Sequence, residues 1–245
     1  MIKKIESTYL KIDTPQMIEV DRLMMEEYHI ELIQMMENAG RCLAIVARDR
    51  FLEKDPQDKK IAVLVGTGGN GGGALVCARR LHSWGANVEV YTTANAEKFT
   101  PISMHQYHIL RRMKVPILSG EELPKEGDYD LLIDGIIGYS VKGNPYGLPK
   151  VMIQWLNERT EKVLSLDTPS GLDLTSGTVH DPTVNAKATL TLAMPKKGLF
   201  EDTAKTIVGE LYLGDISVPP QLYQEPSLNL EAMNVFRYAD VVRIY

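Results

Sequence analysis

A chain of 245 residues with 44% hydrophobic and 24% charged side chains has apolar material for one large core and reads as a single globular domain over residues 1–245. Its net charge of −5 at pH 7 gives no global electrostatic reason to bind nucleic acid or an anionic membrane, so any phosphate recognition has to be local. No apolar stretch is long enough to span a bilayer and the start, MIKKIESTYLKI, lacks the apolar centre of a leader; the two cysteines, Cys42 and Cys77, lie among apolar neighbours as free thiols of a reducing compartment do, so the expected location is the cytoplasm.

Asp13-Thr14-Pro15 puts a capping residue directly before a proline, which predicts a helix from Gln16 to Tyr28. A second helix is predicted from about Glu31 to Phe51, with Ile33, Met36, Ala39, Leu43 and Val46 along one side. The methionines Met24, Met25, Met35 and Met36 are either core at helical spacing or an adaptable partner surface.

The stretch from Ile61 to Arg80, IAVLVGTGGNGGGALVCARR, reads as strand, glycine turn and helix. Backbone N–H groups at a helix N-terminus, with no side chains in the way, make a candidate phosphate site, and Asn70 is a polar side chain in the middle of that turn. A turn that only packs a helix against a strand is the plain alternative. Gly85 then closes the helix, Val88 to Tyr91 alternates as a second strand, Thr100-Pro101 opens another helix through Leu110 and Met113, and Val115 to Leu118 is a short third strand. His82, His105 and His108 have no partner at metal-ligand spacing and read as surface or packing residues.

Tyr129 to Ile133 is an apolar run ending at Asp134. After a helix at about Leu148 to Glu158 the arrangement recurs: Val163 to Leu166 ends at Asp167, followed by Thr168-Pro169-Ser170-Gly171. In an open parallel sheet, ligands bind beyond the carboxyl ends of the strands, and Asn70, Asp134, Asp167 and Ser170 would all project there. Ala188 to Leu192, Gly209 to Leu213 and Val235 to Tyr245 read as further strands; Pro195-Lys196-Lys197-Gly198 is either a solvated basic corner or a contact to a ligand phosphate. Alternating strands and helices predict a doubly wound α/β sheet, helices on both faces and a helical lead packed outside.

Several blocks, in order, resemble the NAD(P)H-hydrate epimerases built on the YjeF N-terminal domain. Met35-Met36-Glu37-Asn38-Ala39-Gly40 is similar to that family's L-M-E-N-A-G helix, and GTGGNGGGALVCARRL to its G-x-G-N-N-G-G-D-G-x-x-x-A-R-x-L signature. Leu132 to Gly138 resembles V-D-A-x-F-G, Leu166 to Asp173 resembles V-D-I-P-S-G-x-D, and AKATLTLAMPKKG resembles A-x-x-T-x-T-F-x-x-x-K-x-G. The resemblance implies a Rossmann-like three-layer α/β/α fold with a mostly parallel sheet, and an isomerase acting on the C6 epimers of hydrated NADH or NADPH. It also implies a homodimer and a bound potassium ion on Asn70, Asp134 and Ser170. Its substrate site would be Gly69, Asn70, Gly71, Gly72, Gly73, Gly138, Tyr139, Ser140, Val141, Lys142, Gly143, Asn144 and Asp167. Asp167 is the acid/base candidate, since inverting a carbinol carbon breaks and remakes a bond with proton transfer. The dehydratase half found in some family members is not expected here.

This chain departs from the family at Gly69 and Gly73, where the signature has Asn and Asp, and at Gly138-Tyr139-Ser140, where Gly-Thr-Gly is common. These departures motivate a second reading, a nucleotide-binding or scaffold module of the same fold without turnover. An ordinary NAD-dependent dehydrogenase fits less well, because the second strand ends in Tyr91-Thr92-Thr93 and not in the acidic residue that would hold a ribose.

Overall fold

The computed structural model describes residues 2–5, 10–232 and 234–245. Part of the N-terminal stretch read for targeting, Met1 and residues 6–9, lies outside the described residues. In chain order the regular elements are α1 (Thr14–Glu26), α2 (Leu32–Val46, continued by one π-helical turn over Ala47–Phe51), β1 (Lys60–Val65), α3 (Gly69–Ser83), β2 (Asn87–Thr92), α4 (Pro101–Arg112), β3 (Ile117–Ser119), β4 (Leu131–Gly135), α5 (Gly147–Asn157), β5 (Val163–Leu166), β6 (Ala188–Leu192), α6 (Asp202–Val208), β7 (Glu210–Gly214) and β8 (Val241–Arg243). The strands form one sheet in the order β3-β2-β1-β4-β5-β6-β7-β8, parallel throughout except for β8. This is the expected doubly wound architecture.

Strand alternation decides the layers. Ile61, Val63, Val65, Leu131 and Ile133 join a cluster with α2, α3 and Leu110 of α4 on one face. Ala62, Leu64 and Leu132 pack on the other face against Met152, Ile153 and Leu156 of α5. Farther along, α6 covers Leu211 and Leu213. Helix α6 has no counterpart in the sequence reading: at seven residues it is too short to set up a helical period.

The predicted N-terminal cap forms as a capping box: Asp13 Oδ1 accepts from the Gln16 amide at 3.0 Å while Gln16 Oε1 accepts from the Asp13 amide at 3.0 Å. The methionine question resolves toward core, with Met24, Met35 and Met36 buried; on the outer side of α1, Ile18 and Met25 remain 51% and 39% exposed. Ahead of α1 the backbone is stitched into the fold twice. Lys4 bridges Arg243 beside β8, and Ile12 bridges Lys196, its amide donating to Pro195 O and its carbonyl accepting from the Lys197 amide. Both cysteines are buried free thiols, and burial pushes Cys42 up to about 12. Among the described residues no helix is long and apolar enough to cross a membrane.

The glycine turn divides into two kinds of position. A side chain at Gly66 would collide with the carbonyl of Ile136, and one at Gly71 with the carbonyl of Gly66. These two are glycines because neighbouring backbones pass there. Gly68 and Gly69 have no atom within 4 Å of where a Cβ would stand. Gly71→Ala is therefore expected to lower stability by roughly 1–3 kcal/mol, as overpacking substitutions do, whereas Gly69→Ala melts with the wild type; equal melting temperatures for the two variants would contradict this division.

Candidate active site

β1, β4 and β5 are adjacent and parallel, so their carboxyl ends and the loops that follow open on one side of the sheet. The strand order reverses at β1, because β2 lies on one side of it and β4 on the other, which leaves a crevice over the glycine turn. A cavity of about 460 Å³ occupies it. Its walls include Gly69, Asn70, Gly73, Gly138, Tyr139, Ser140 and Asp167, seven of the residues that the family resemblance implied for the substrate, joined by Asp21 and Lys196. Gly71 and Gly72 lie behind this wall in the packing of α3, Gly72 against Met36 and Ser103. Val141, Lys142, Gly143 and Asn144 line a neighbouring groove of about 380 Å³ that shares Ile137 and Ser140 with the cavity.

Asp134, within β4, is fully buried, and its carboxylate collects four hydrogen bonds. Oδ2 accepts from Ser165 Oγ at 2.8 Å and the Ser170 amide at 2.9 Å; Oδ1 accepts from Ser170 Oγ at 2.5 Å and the Ile136 amide at 3.2 Å. Burial nonetheless raises its pKa. All four donors are neutral, and among the described residues no lysine or arginine pairs with it. Ser170 Oγ also accepts from the Ile137 amide at 2.8 Å, which fastens the loop after β5 to the loop after β4. Asn70 stands against Gly138, where a Cβ would come within 3.2 Å of its own Cβ, and its Nδ2 is buried without a hydrogen-bond partner among the described residues.

Asp167 sits just past β5 in the left-handed region, φ 64°, a conformation that non-glycine residues rarely adopt. The Thr168 amide bonds back to Leu166 O at 2.8 Å, closing a three-residue turn around it. The same turn recurs one strand over, with Ala193 at φ 60° and the Met194 amide on Leu192 O at 2.6 Å. Backbone held this way needs its surroundings to enforce it and is typical of functional sites. Here the enforcement comes from Lys196, whose side chain is 1% exposed. Its ammonium donates to Asp167 Oδ1 at 2.8 Å, Leu192 O at 2.8 Å and Thr191 Oγ1 at 3.2 Å, which uses all three protons. Asp167 Oδ2 takes no hydrogen bond among the described residues and is left to the cavity.

The basic turn is therefore neither a solvated corner nor a phosphate contact at Lys196. That side chain is the buried counter-charge of Asp167, while Lys197 pairs with Asp13 at 2.9 Å, the N-cap of α1. The sequence reading also passed over Asp21. It sits on α1 one residue after the buried Val20 and one turn from the buried Met17 and Met24, so its carboxyl lies on the edge of the inward-facing stripe; a charged residue in that register was the available signal. Tyr139 OH donates to Asp21 Oδ2 at 3.0 Å. Desolvation carries the Asp21 pKa up to about 6 against the lowering by that hydrogen bond and by Lys196, with the charge of Asp167 adding to the rise. Tyr139 is raised in turn, by burial first and then by Asp21.

The departures from the family signature find local reasons. A side chain at Gly73 would meet Leu166 Cδ2 at 2.8 Å, so the leucine fills that space; Gly69 opens onto the cavity; and Tyr139 supplies the hydroxyl that Asp21 accepts.

Comparison with known proteins gives the chain a family. Residues 32–198 match the family model described as YjeF-related protein N-terminus. A protein of Dehalogenimonas lykanthroporepellens named NAD(P)H-hydrate epimerase is 38% identical over 221 residues, covering 89% of this chain and 86% of that protein. The bifunctional NAD(P)H-hydrate repair enzyme Nnr of Moorella thermoacetica is 32% identical over 225 residues, and there the match spans 89% of this chain but 42% of the relative. The crystal structure of yeast ynu0, YNL200c, superposes with a TM-score of 0.79 at 25% identity, covering 96% of this chain and all of the yeast one. With the matched model spanning most of the chain and the superposition most of its fold, the protein belongs to the YjeF-related N-terminal domain family.

Proposed function

We propose that this chain is an NAD(P)H-hydrate epimerase, an isomerase that interconverts the R and S epimers of hydrated NADH and NADPH as one domain over residues 1–245. The observation that carries the reading is the placement of one salt-bridged carboxylate, Asp167, in the same cavity as an open glycine turn at a helix N-terminus. The turn suits a dinucleotide pyrophosphate: nothing obstructs approach at Gly68 and Gly69, the N-terminus of α3 favours negative charge, and the unpaired Asn70 amide is a further donor. The hydrated ring then lies toward Asp167, whose Oδ2 takes and returns the proton of the C6 hydroxyl while Lys196 fixes the carboxylate through Oδ1. The relatives named as epimerases favour turnover over the scaffold reading, and the local replacements at Gly73 and Tyr139 keep the cavity formed. Two buried thiols without a disulfide suit a cytoplasmic setting.

Asn70, Asp134 and Ser170 would hold the potassium ion. The donors are oxygens suited to a hard cation, and a buried carboxylate served only by neutral groups leaves a charge for a cation to balance. When bound, the ion would supply that charge at the Asp134 carboxylate. The dimer would form through the outer side of α1, where Ile18 and Met25 are exposed.

Three outcomes are expected. Incubating the protein with one purified epimer of hydrated NADH produces the other faster than the spontaneous background, and Asp167→Asn, which keeps an acceptor for Lys196, lowers that rate by the ~10²–10⁴-fold typical of a lost general acid/base with little change in nucleotide affinity. Binding without acceleration in the wild type would instead support the scaffold reading. Replacing choline chloride by potassium chloride at equal ionic strength raises the melting temperature by about 2–4 °C per kcal/mol of binding energy, and Asp134→Ala abolishes the difference; a rise that survives in Asp134→Ala would remove potassium from this position. Sedimentation at micromolar concentration gives a dimer, and a monomer there would refute the proposed assembly.

A further inference from the structure

Epimerising a hemiaminal carbon asks for two proton-transfer groups. A base removes the hydroxyl proton as the C6 carbonyl forms; the C6–N1 bond breaks with its electron pair going to nitrogen, and an acid protonates that nitrogen. Rotation of the resulting aldehyde and reversal of both transfers closes the ring on the other face, with no net gain or loss of protons or electrons. Asp167 with its lysine fills one of these places. The other needs an acid that is not ion-paired and faces the same cavity.

We propose that Asp21 of α1 is the second proton-transfer group, protonating the ring nitrogen on opening and taking the proton back on closure, with Tyr139 as its positioning residue. The inference rests on the epimerase reading. Four observations support it. Asp21 lines the cavity together with Asp167, Lys196 and Tyr139. It has no salt bridge among the described residues, whereas its neighbours on the same helix, Glu19, Arg22 and Glu26, pair with one another. Its one hydrogen bond among the described residues comes from the Tyr139 hydroxyl at 3.0 Å, which fixes Oδ2 and leaves Oδ1 to carry a proton. Its helix, finally, is fastened to the strand-end chemistry by the segment that supplies Lys196, through the Ile12–Lys196 bridge and the Lys197–Asp13 ion pair.

The charged and titratable groups facing Asp21 are Tyr139 from the loop after β4, Asp167 after β5 and Lys196 after β6. Desolvation dominates among them and carries Asp21 up to about 6, while Asp167 is paired at 2.8 Å with an ammonium, so the two carboxyls are in opposed environments. The sign follows from the role. The working form of Asp21 is protonated, so kcat/KM falls as pH rises through about 6.

The test is the pH dependence of epimerisation, corrected for the spontaneous rate, in the wild type, Asp21→Asn and Tyr139→Phe, with folding checked by circular dichroism. Asp21→Asn is expected to lose ~10²–10⁴-fold in kcat and to lose the descending limb near pH 6. Tyr139→Phe removes a hydrogen bond that favours the ionised carboxyl, so it keeps the limb and moves it to higher pH. If folded Asp21→Asn turns over at the wild-type rate, or is slowed while keeping the wild-type limb, Asp21 has no part in proton transfer. If Tyr139→Phe leaves the limb unmoved, Tyr139 does not position the titrating group and the proposed pair is overturned. A wild type that does not accelerate epimerisation overturns the epimerase reading itself, which separates that failure from a failure of the present inference.

Discussion

An ammonium group taken out of water is tolerated only when its charge and all three of its protons are matched, and the shape of the cleft follows from how Lys196 is matched. Its partners come from the ends of two strands: Asp167 beyond β5, and Thr191 and Leu192 at the end of β6. Holding them together brings both strand ends into tight turns with positive φ. Its backbone, meanwhile, pairs with Ile12 and so decides where the N-terminal helix lies. One buried lysine thus links the Asp167 carboxylate, the strand ends and the helix that lines the cavity. Removing either partner of such a pair strands a charge in the interior, a loss larger than the net worth of the pair.

Much of the fold was legible because the parallel strands are short apolar runs between clear punctuation. Val163–Leu166 and Ala188–Leu192 appear with the bounds read from the sequence, and β1 differs by one residue. Helix α6 was not visible in seven residues, and the final strand read over Val235–Tyr245 shrinks to Val241–Arg243, the three residues that pair with β7, behind a helical turn at Phe236–Tyr238. The strand-end aspartates were legible as a pair, since each follows an apolar run. Lys196 stood in the sequence only as the K of the last family-like block; its burial was not legible, because nothing local distinguishes a buried lysine from a solvated one when its partner is 29 residues away. Asp21 was hidden for a related reason: a single acid on an amphipathic helix declares its environment only once the neighbouring layer is known.

The blocks that resemble the family serve packing. Glu37 of the MENAG-like segment receives Arg79 of the helix after the glycine turn at 2.5 Å and Gln106 of α4 at 3.0 Å, which ties three helices together on one face of the sheet. A side chain at Gly40 would strike Val76 and the carbonyl of Gly73, so that glycine lets α2 lie close against α3. These contacts hold the N-terminus of α3 where a phosphate would meet it. The altered positions are of another kind. Gly73 is compensated from across the site by Leu166, and Tyr139 is used by Asp21, so the substitutions rearrange the wall and leave its supports alone.

The borders of the sheet bear on how copies of this chain meet. At one border β3 is three residues long; at the other β8 is equally short, runs against the rest, and is flanked by the N-terminal backbone, where Ile5 donates to Arg243 and Arg243 donates to Lys3. A long row of unpaired amides and carbonyls is what lets one sheet extend into another, and among the described residues neither border offers one. Growth by strand addition, the route to fibres and to continuous sheets across two subunits, is thereby discouraged at these borders.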